Sequence, residues 1–406
     1  MSKYNTTTLP NGLRVIHLPD ASPVVYCGIG INAGARQEAA GEEGLAHFCE
    51  HVSFKGTRKR TALQIMNCLE NVGGDLNAFT NKEDTVFYAA IQREHFSRAV
   101  DLLYDIVFNS IFPEDETARE VDVICDEIES YNDNPAELIY DEFENLLFKG
   151  HPLGHNILGT REQVQTFTPT DVHRFTQRYY RPDNAVFFVY GNVDFSRLVK
   201  KLEAMDDGSW RHDHQPTPVS HQPTVNSQQP TAVTHHQAHV MIGCRTFGYD
   251  DPRRMPLYLL NNMLGGPGMN ARLNLSLRER HGLVYTVESA MTTYSDTGYW
   301  SVYFGCDHHD VRKCLRLVQH QLGRLQQHPL NDRQLTTAKR QLKGQIAIAC
   351  DNREQYALDM AKHFLHYGQE RDFDELMQRI DDITAQQLQD VACQMFTSEH
   401  LQTLTL

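Results

Sequence analysis

The stretch Gly44-Leu45-Ala46-His47-Phe48-Cys49-Glu50-His51-Val52-Ser53-Phe54-Lys55-Gly56 decides how the rest of the chain is read. Within it stands His47-x-x-Glu50-His51. On a helix, residues four apart share a face, so His47 and His51 can present their rings side by side to one metal ion. Glu50 falls near the same face, one residue before His51, where it can lean over a metal without ligating it. Two imidazoles and a carboxylate at one metal are what metal-assisted hydrolysis requires. The flanking residues Leu45, Ala46, Phe48, Cys49, Val52 and Phe54 are apolar. Burying two imidazoles among them is costly unless their nitrogens find partners, and a metal provides one.

His-x-x-Glu-His is the reverse of His-Glu-x-x-His and is the inverted form of the zincin motif. The plain alternative is a pair of surface histidines beside an incidental glutamate, because the chain has 21 His in 406 residues. The apolar flanks weigh against that alternative.

Composition bounds the remaining possibilities. The length suggests two to three domains, each able to bury a core. A formal net charge of −14 disfavours nucleic acid, which needs a cationic footprint. The nine Cys include no Cys-x-x-Cys pair and read as reduced, buried residues of a reducing compartment. Cys49 reads as packing, not as a nucleophile. The N-terminal residues lack an apolar leader core, and no apolar run is long enough for a membrane span. The cytoplasm is the expected location.

Outward from the motif, Asn11-Gly12 is a hairpin signal before the strand-forming Leu13-Arg14-Val15-Ile16. Pro23 to Ile31 reads as a buried strand. The metal helix covers roughly 43–54, and a second helix, about 61–71, stops at Gly73-Gly74. Strands follow between Asp75 and Ile91. Helices are expected near 94–108, 114–131, 136–148 and 170–180, and a buried strand at Ala185 to Gly191. Glu120 and Glu127 are seven residues apart on the 114–131 helix and share a face. From about Asp206 to Gln229, Pro, Gln, Ser, His and Thr dominate, which reads as an exposed linker. His212, His214 and His221 in it read as solvated.

The second half repeats the element order of the first. Ala238 to Cys244 stands where Val24 to Ile31 stood. The helix Met255 to Leu264 ends at Gly265-Gly266. Val302 to Gly305 and the helices after it echo Phe87 to Ala90 and the helices of the first half. The reading is two tandem domains of one fold, 1–207 and 230–406, joined by a linker at 208–229. Each is an α+β domain with an antiparallel or mixed sheet and helices packed on it. The second half has no counterpart of the His47/His51 pair, so one active site per chain is expected.

The stretch Asn11 to Val15, the loop before Glu38, and Gly44 to Thr57 together resemble the pitrilysin-type (M16) zinc peptidases, which include mitochondrial processing peptidase and insulin-degrading enzyme. The resemblance runs along nearly the whole chain, and its nearest type is the bacterial two-domain members. It implies the LuxS/processing-peptidase-like metallohydrolase fold and one zinc ion. Where the family places its last zinc ligand on a later helix, this sequence has Glu127. The resemblance therefore assigns His47, His51 and Glu127 as ligands, Glu50 as the catalytic base and Glu120 as a support for the site. It matches Asn77-Ala78-Phe79-Thr80 to the edge strand to which an extended peptide adds. It also matches Arg278 and Tyr285, within Leu277 to Tyr285, to the residues that reach the substrate and its scissile carbonyl. Gly265-Gly266-Pro267-Gly268 lacks the Lys and spacing of a phosphate loop and reads as a helix-ending turn.

The function so implied is a zinc endopeptidase acting on unfolded oligopeptides inside a chamber formed by a homodimer. Carriage of both the metal motif and the Arg/Tyr segment resembles the self-sufficient members. Two alternatives stay open: a peptidase that processes one particular precursor, and a non-catalytic peptide-binding subunit. The intact His47, Glu50, His51 and Glu127 argue against the second.

Overall fold

A computed structural model describes residues 3–206, 208 and 237–406. The linker expected at 208–229, with His212, His214 and His221, lies outside the described residues apart from Gly208. The chain begins with β1 (Asn5–Thr8), β2 (Arg14–Pro19), β3 (Val24–Ile31), α1 (Leu45–Ser53) and α2 (Ala62–Glu70). Next come β4 (Asp75–Thr80), β5 (Thr85–Gln92), α3 (Phe96–Phe108), α4 (Glu114–Asn132), α5 (Pro135–Leu147), α6 (Arg161–Val164), α7 (Pro169–Tyr179), β6 (Ala185–Gly191) and α8 (Phe195–Met205). The second half has β7 (Ala238–Phe247), α9 (Arg254–Gly265), a π-helical turn at Asn274–Glu279, β8 (Val284–Thr293) and β9 (Thr297–Cys306). It closes with α10 (Val311–Gln327), α11 (Asp332–Ala349), α12 (Arg353–Tyr367), α13 (Phe373–Asp381), α14 (Ala385–Met395) and β10 (Gln402–Thr405).

The first sheet has the order β1-β2-β6-β3-β5-β4. Its β2–β6 pair is parallel and the other pairs are antiparallel. Local chemistry sets its start: Gly12 takes φ 90°, as a tight turn after Asn11 requires, and the Asn11 side-chain oxygen accepts from the Leu13 N–H at 3.1 Å. β3 and β6 are central and almost wholly buried, which is why both read as unbroken apolar runs and not as alternating strands.

The second sheet, β10-β7-β9-β8, is antiparallel throughout. Its order matches β6-β3-β5-β4 strand for strand, so the repeat of element order is a repeat of topology. The α+β reading holds, with one mixed and one antiparallel sheet.

The two compact units are not two consecutive halves. The first comprises residues 3–130, 155–206 and 350–371; the second comprises 131–154, 237–349 and 372–406. The halves exchange a helix. In the first unit, Ala357, Leu358, Met360, Ala361, Phe364 and Leu365 of α12 pack on Ile16, Val86, Val186 and Phe188 of the sheet. In the second, Ile139, Phe143 and Leu147 of α5 pack with Met241, Tyr294 and Tyr299. A single cut at the linker therefore misplaces α5 and α12. An apolar stripe tells that a helix is covered, not which sheet covers it.

The opposite face of the first sheet meets α1, α3 and α7. Leu45, Phe48, Cys49, Val52, Ala99, Val100, Leu103, Val172 and Phe175 join Val15, Val25, Cys27, Ile29 and Phe87 in its core. Each large side chain so buried contributes roughly 1.5–3 kcal/mol before the cost of ordering the chain. This packing fixes α1 against the sheet. No helix among the described residues is long and apolar enough to cross a membrane.

Candidate metal centre

The helix that carries the motif begins at a point few sequences could occupy. Gly44 caps α1 with φ 95°, and a Cβ there would lie 2.7 Å from the Leu158 carbonyl oxygen. The first-turn N–H groups, which have no partner within a helix, are met by Glu38. Its carboxylate accepts from the Gly44 N–H at 3.0 Å and from the Ala46 N–H at 2.7 Å. His155 Nε2 donates to the same carboxylate at 2.8 Å, and the Lys82 ammonium donates to the His155 carbonyl. Burial raises the Glu38 pKa, opposed by His155 and the two backbone donors. A negative charge at this end also suits the helix dipole.

Along α1, His47 and Glu50 are buried and His51 is partly exposed. The two rings lie 4.5 Å apart between centroids. From α4, Glu127 reaches the same point: its Oε1 is 3.9 Å from His47 Nε2 and its Oε2 is 3.6 Å from His51 Nε2. Glu120, two turns earlier on α4 and buried, accepts from His51 Nδ1 at 3.1 Å. Its other oxygen is 2.6 Å from Lys55 Nζ. The hydrogen bond at Nδ1 fixes the ring orientation and turns the Nε2 lone pair toward Glu127.

The donor set fits a metal ion. One ligand atom each from His47, His51 and Glu127 lie within 4.8 Å of one another. The two Nε2–carboxylate gaps are too long for good hydrogen bonds. They are close to the edge of a tetrahedral zinc site, roughly 3.3 Å for bonds of about 2.0–2.1 Å. Three protein ligands leave a fourth place open, as in catalytic zinc sites. Another grouping of possible ligands, Asp307, His309 and Asp310, is more exposed and lies at the connection between β9 and α10.

The electrostatics agree with that fit. Burial, with His51 beside it, pushes the His47 pKa down to about 3, so His47 stays in the neutral form that ligates. For His51, burial alone would lower the pKa. The Glu120 hydrogen bond and the charges of Glu50, Glu127 and Glu120 outweigh it and raise the value. The field that favours a proton on His51 favours any cation at Nε2. Glu120 shows the converse balance: burial raises its pKa, and His51 and Lys55 bring it below the usual range. Burial lifts Glu50 above the ordinary range, Glu127 adds to the lift, and the Thr80 hydrogen bond and His51 oppose it.

Asn77, Ala78, Phe79 and Thr80 lie on β4, an outer strand of the first sheet that among the described residues pairs on one side only, to β5. Thr80 Oγ1 donates to Glu50 Oε2 at 2.6 Å. The structure thus gathers His47, Glu50, His51, Thr80, Glu120 and Glu127 in the first unit. Arg278 and Tyr285 belong to the second unit, where the Arg278 guanidinium sits 5.7 Å from the centre of the Tyr285 ring and Tyr285 is 82% exposed. Tyr285 is near the start of β8, whose pairing with β9 is interrupted by a bulge between Val284 and Val287.

Sequence reasoning gave no role to Glu38, His155 or Lys55. None had a local signal: Lys55 lies beyond the end of α1, and Glu38 and His155 meet across 117 residues.

The chain matches the family Insulinase (peptidase family M16) over residues 14–161 and the peptidase M16 inactive domain over residues 166–342. It is 33% identical to an uncharacterized zinc protease of Mycobacterium leprae, over 97% of this chain and 89% of that protein. It is 30% identical to an uncharacterized zinc protease of Bacillus subtilis, over 97% of this chain and 96% of that protein. Among solved structures, a protease from Helicobacter pylori superposes with a TM-score of 0.90 at 22% identity, covering 100% of this chain and 99% of that one. A peptidase M16 inactive domain protein from Pseudomonas fluorescens superposes with a TM-score of 0.85 at 20% identity, covering 99% and 97%. At those identities the two structures speak for the fold.

Proposed function

The chain belongs to peptidase family M16, and on that premise we propose that it is a zinc-dependent endopeptidase cutting extended or unfolded oligopeptides. The observation that carries the reading is the convergence of His47, His51 and Glu127 on one point with the buried carboxylate of Glu50 on the same short helix. His47, His51 and Glu127 would hold one zinc ion per chain. A zinc ion so held supplies Lewis acidity, lowering the pKa of a water from 15.7 to about 7 and polarising a carbonyl.

Glu50 carries the proton. Its carboxylate takes one proton from the attacking water as the new C–O bond forms. It delivers that proton to the amide nitrogen as the C–N bond breaks, and ends ionised as it began. The burial that lifts its pKa suits a group that must accept and then donate. Glu120 holds His51 in orientation. The edge of β4, unpaired among the described residues, offers main-chain donors and acceptors to an extended peptide, which favours unfolded substrates, whose main chain is free to lie along it.

Arg278 and Tyr285 are assigned to the substrate and its carbonyl by family resemblance. Homodimerisation around a substrate chamber is proposed on the same ground. The nine unpaired cysteines support a reducing compartment, and the cytoplasm is proposed as the location.

The test is Glu50→Gln. The variant should keep its zinc and lose peptide turnover by about 100-fold or more. Cleavage at the wild-type rate with zinc retained would remove Glu50 from the role of base.

A further inference from the structure

We propose that Thr80 is a positioning residue for Glu50: its hydroxyl holds one carboxylate oxygen, Oε2, and leaves Oε1 to carry the proton of the reaction. This rests on the reading of Glu50 as the base. Family resemblance gives Thr80 to the substrate; the geometry gives its side chain to Glu50. The hydroxyl donates to Oε2 at 2.6 Å, and among the described residues the Glu50 carboxylate has no other hydrogen-bond partner.

An ionised carboxylate only accepts, so the hydroxyl is the donor, and the one rival acceptor nearby among the described residues, Thr85, is farther away. Thr85 stands opposite Thr80 in the β4–β5 ladder and is fully buried. Its hydroxyl donates to the Ala33 carbonyl at 2.9 Å, and its oxygen lies 3.5 Å from Thr80 Oγ1. A hydroxyl has one proton to donate. With that of Thr85 engaged by Ala33, Thr80 keeps Glu50 as its short-range acceptor. The two threonines thus donate in opposite directions, Thr85 to the Ala33 carbonyl and Thr80 to Glu50.

The bond does not depend on the charge of Glu50. When Oε1 carries a proton, Oε2 still accepts from Thr80, so the carboxyl is held through both proton transfers. Thr80 is also the last residue of β4. Its backbone lies on the strand to which a peptide would add, and its side chain ties that strand to the base. A peptide seated on β4 is thereby registered against Oε1. Losing such alignment is expensive, because a displacement of about 1 Å can cost roughly 100-fold in rate.

The experiment compares Thr80→Val and Thr80→Ser by steady-state peptide kinetics, zinc content and thermal unfolding. Valine keeps the β-branched shape that suits a strand and removes the hydroxyl; serine keeps the hydroxyl. Thr80→Val should lower kcat by about 10- to 100-fold with KM within about twofold, and with zinc content and Tm unchanged. Thr80→Ser should restore kcat to within about threefold of wild type. Thr80→Ala carries the same expectation as Thr80→Val if the valine variant does not fold. Wild-type kcat in Thr80→Val while Glu50→Gln is inactive overturns the positioning role and leaves the base in place. A raised KM at unchanged kcat, or loss of zinc in step with activity, also overturns it. An active Glu50→Gln would instead bring down the reading of the base.

Discussion

At the scale of single residues, the proposed centre divides into groups that would hold the metal, His47, His51 and Glu127, and groups bonded to its members, such as Glu120 to His51 and Thr80 to Glu50. His47, Glu50 and His51 were legible in the sequence because helical spacing alone puts them on one face. Glu120 and Glu127 were legible as a pair sharing a face, but their partners were not: no spacing rule relates a carboxylate on α4 to an imidazole on α1. Lys55 and Thr80 show the same limit, since each acts through a contact that only the fold creates. Glu120 gives the test at this scale. It accepts from His51 and meets Lys55, so Glu120→Ala frees the His51 ring and leaves Lys55 without its carboxylate. Zinc affinity, measured by chelator competition, should fall about 10- to 100-fold. Unchanged affinity would mean that the hydrogen bond does not orient the ligand.

At the scale of elements, α1 and the β4–β5 hairpin are each held by buried charge. Glu38 secures the start of α1. Asp84, in the hairpin turn, is buried and accepts from His366 Nε2 of α12 at 3.0 Å and from Asn81 Nδ2 at 2.6 Å, with Lys362 Nζ 3.5 Å away. Burial would raise the Asp84 pKa; His366, Lys362 and Asn81 outweigh it and hold the value below the ordinary one. A carboxyl whose pKa is lower folded than unfolded stabilises the fold above its unfolded value, near 3.9. That contribution fades as pH falls through the folded value. Asp84→Asn should therefore lower Tm at pH 7, and its gap to wild type should narrow steadily below about pH 4. A gap that stays constant down to about pH 3 would contradict the assignment. The sequence located most strands and helices of the first half because turns and apolar periods are local signals, but α6 and α8 were not among the expected helices. It could not locate the exchange of α5 and α12, because an apolar stripe chooses between sheets only through complementary packing.

At the scale of the whole molecule, the tandem repeat was readable because it rests on element order, and the two sheets repeat it strand for strand. The consecutive-domain picture was not retained, since each unit draws a helix from the other half of the chain. The proposed homodimer is tested by sedimentation equilibrium at micromolar concentration. The mass should be twice that of the chain, and activity per chain should fall on dilution below the dissociation constant. A fully active monomer would refute it.

In the proposed mechanism His47, His51 and Glu127 hold the ion on which hydrolysis depends. Metal content measured beside peptide turnover, before and after chelation, tests it most directly. About one zinc per chain is expected, with zinc and turnover lost together and both recovered on adding zinc back. Full turnover by metal-free protein would contradict it.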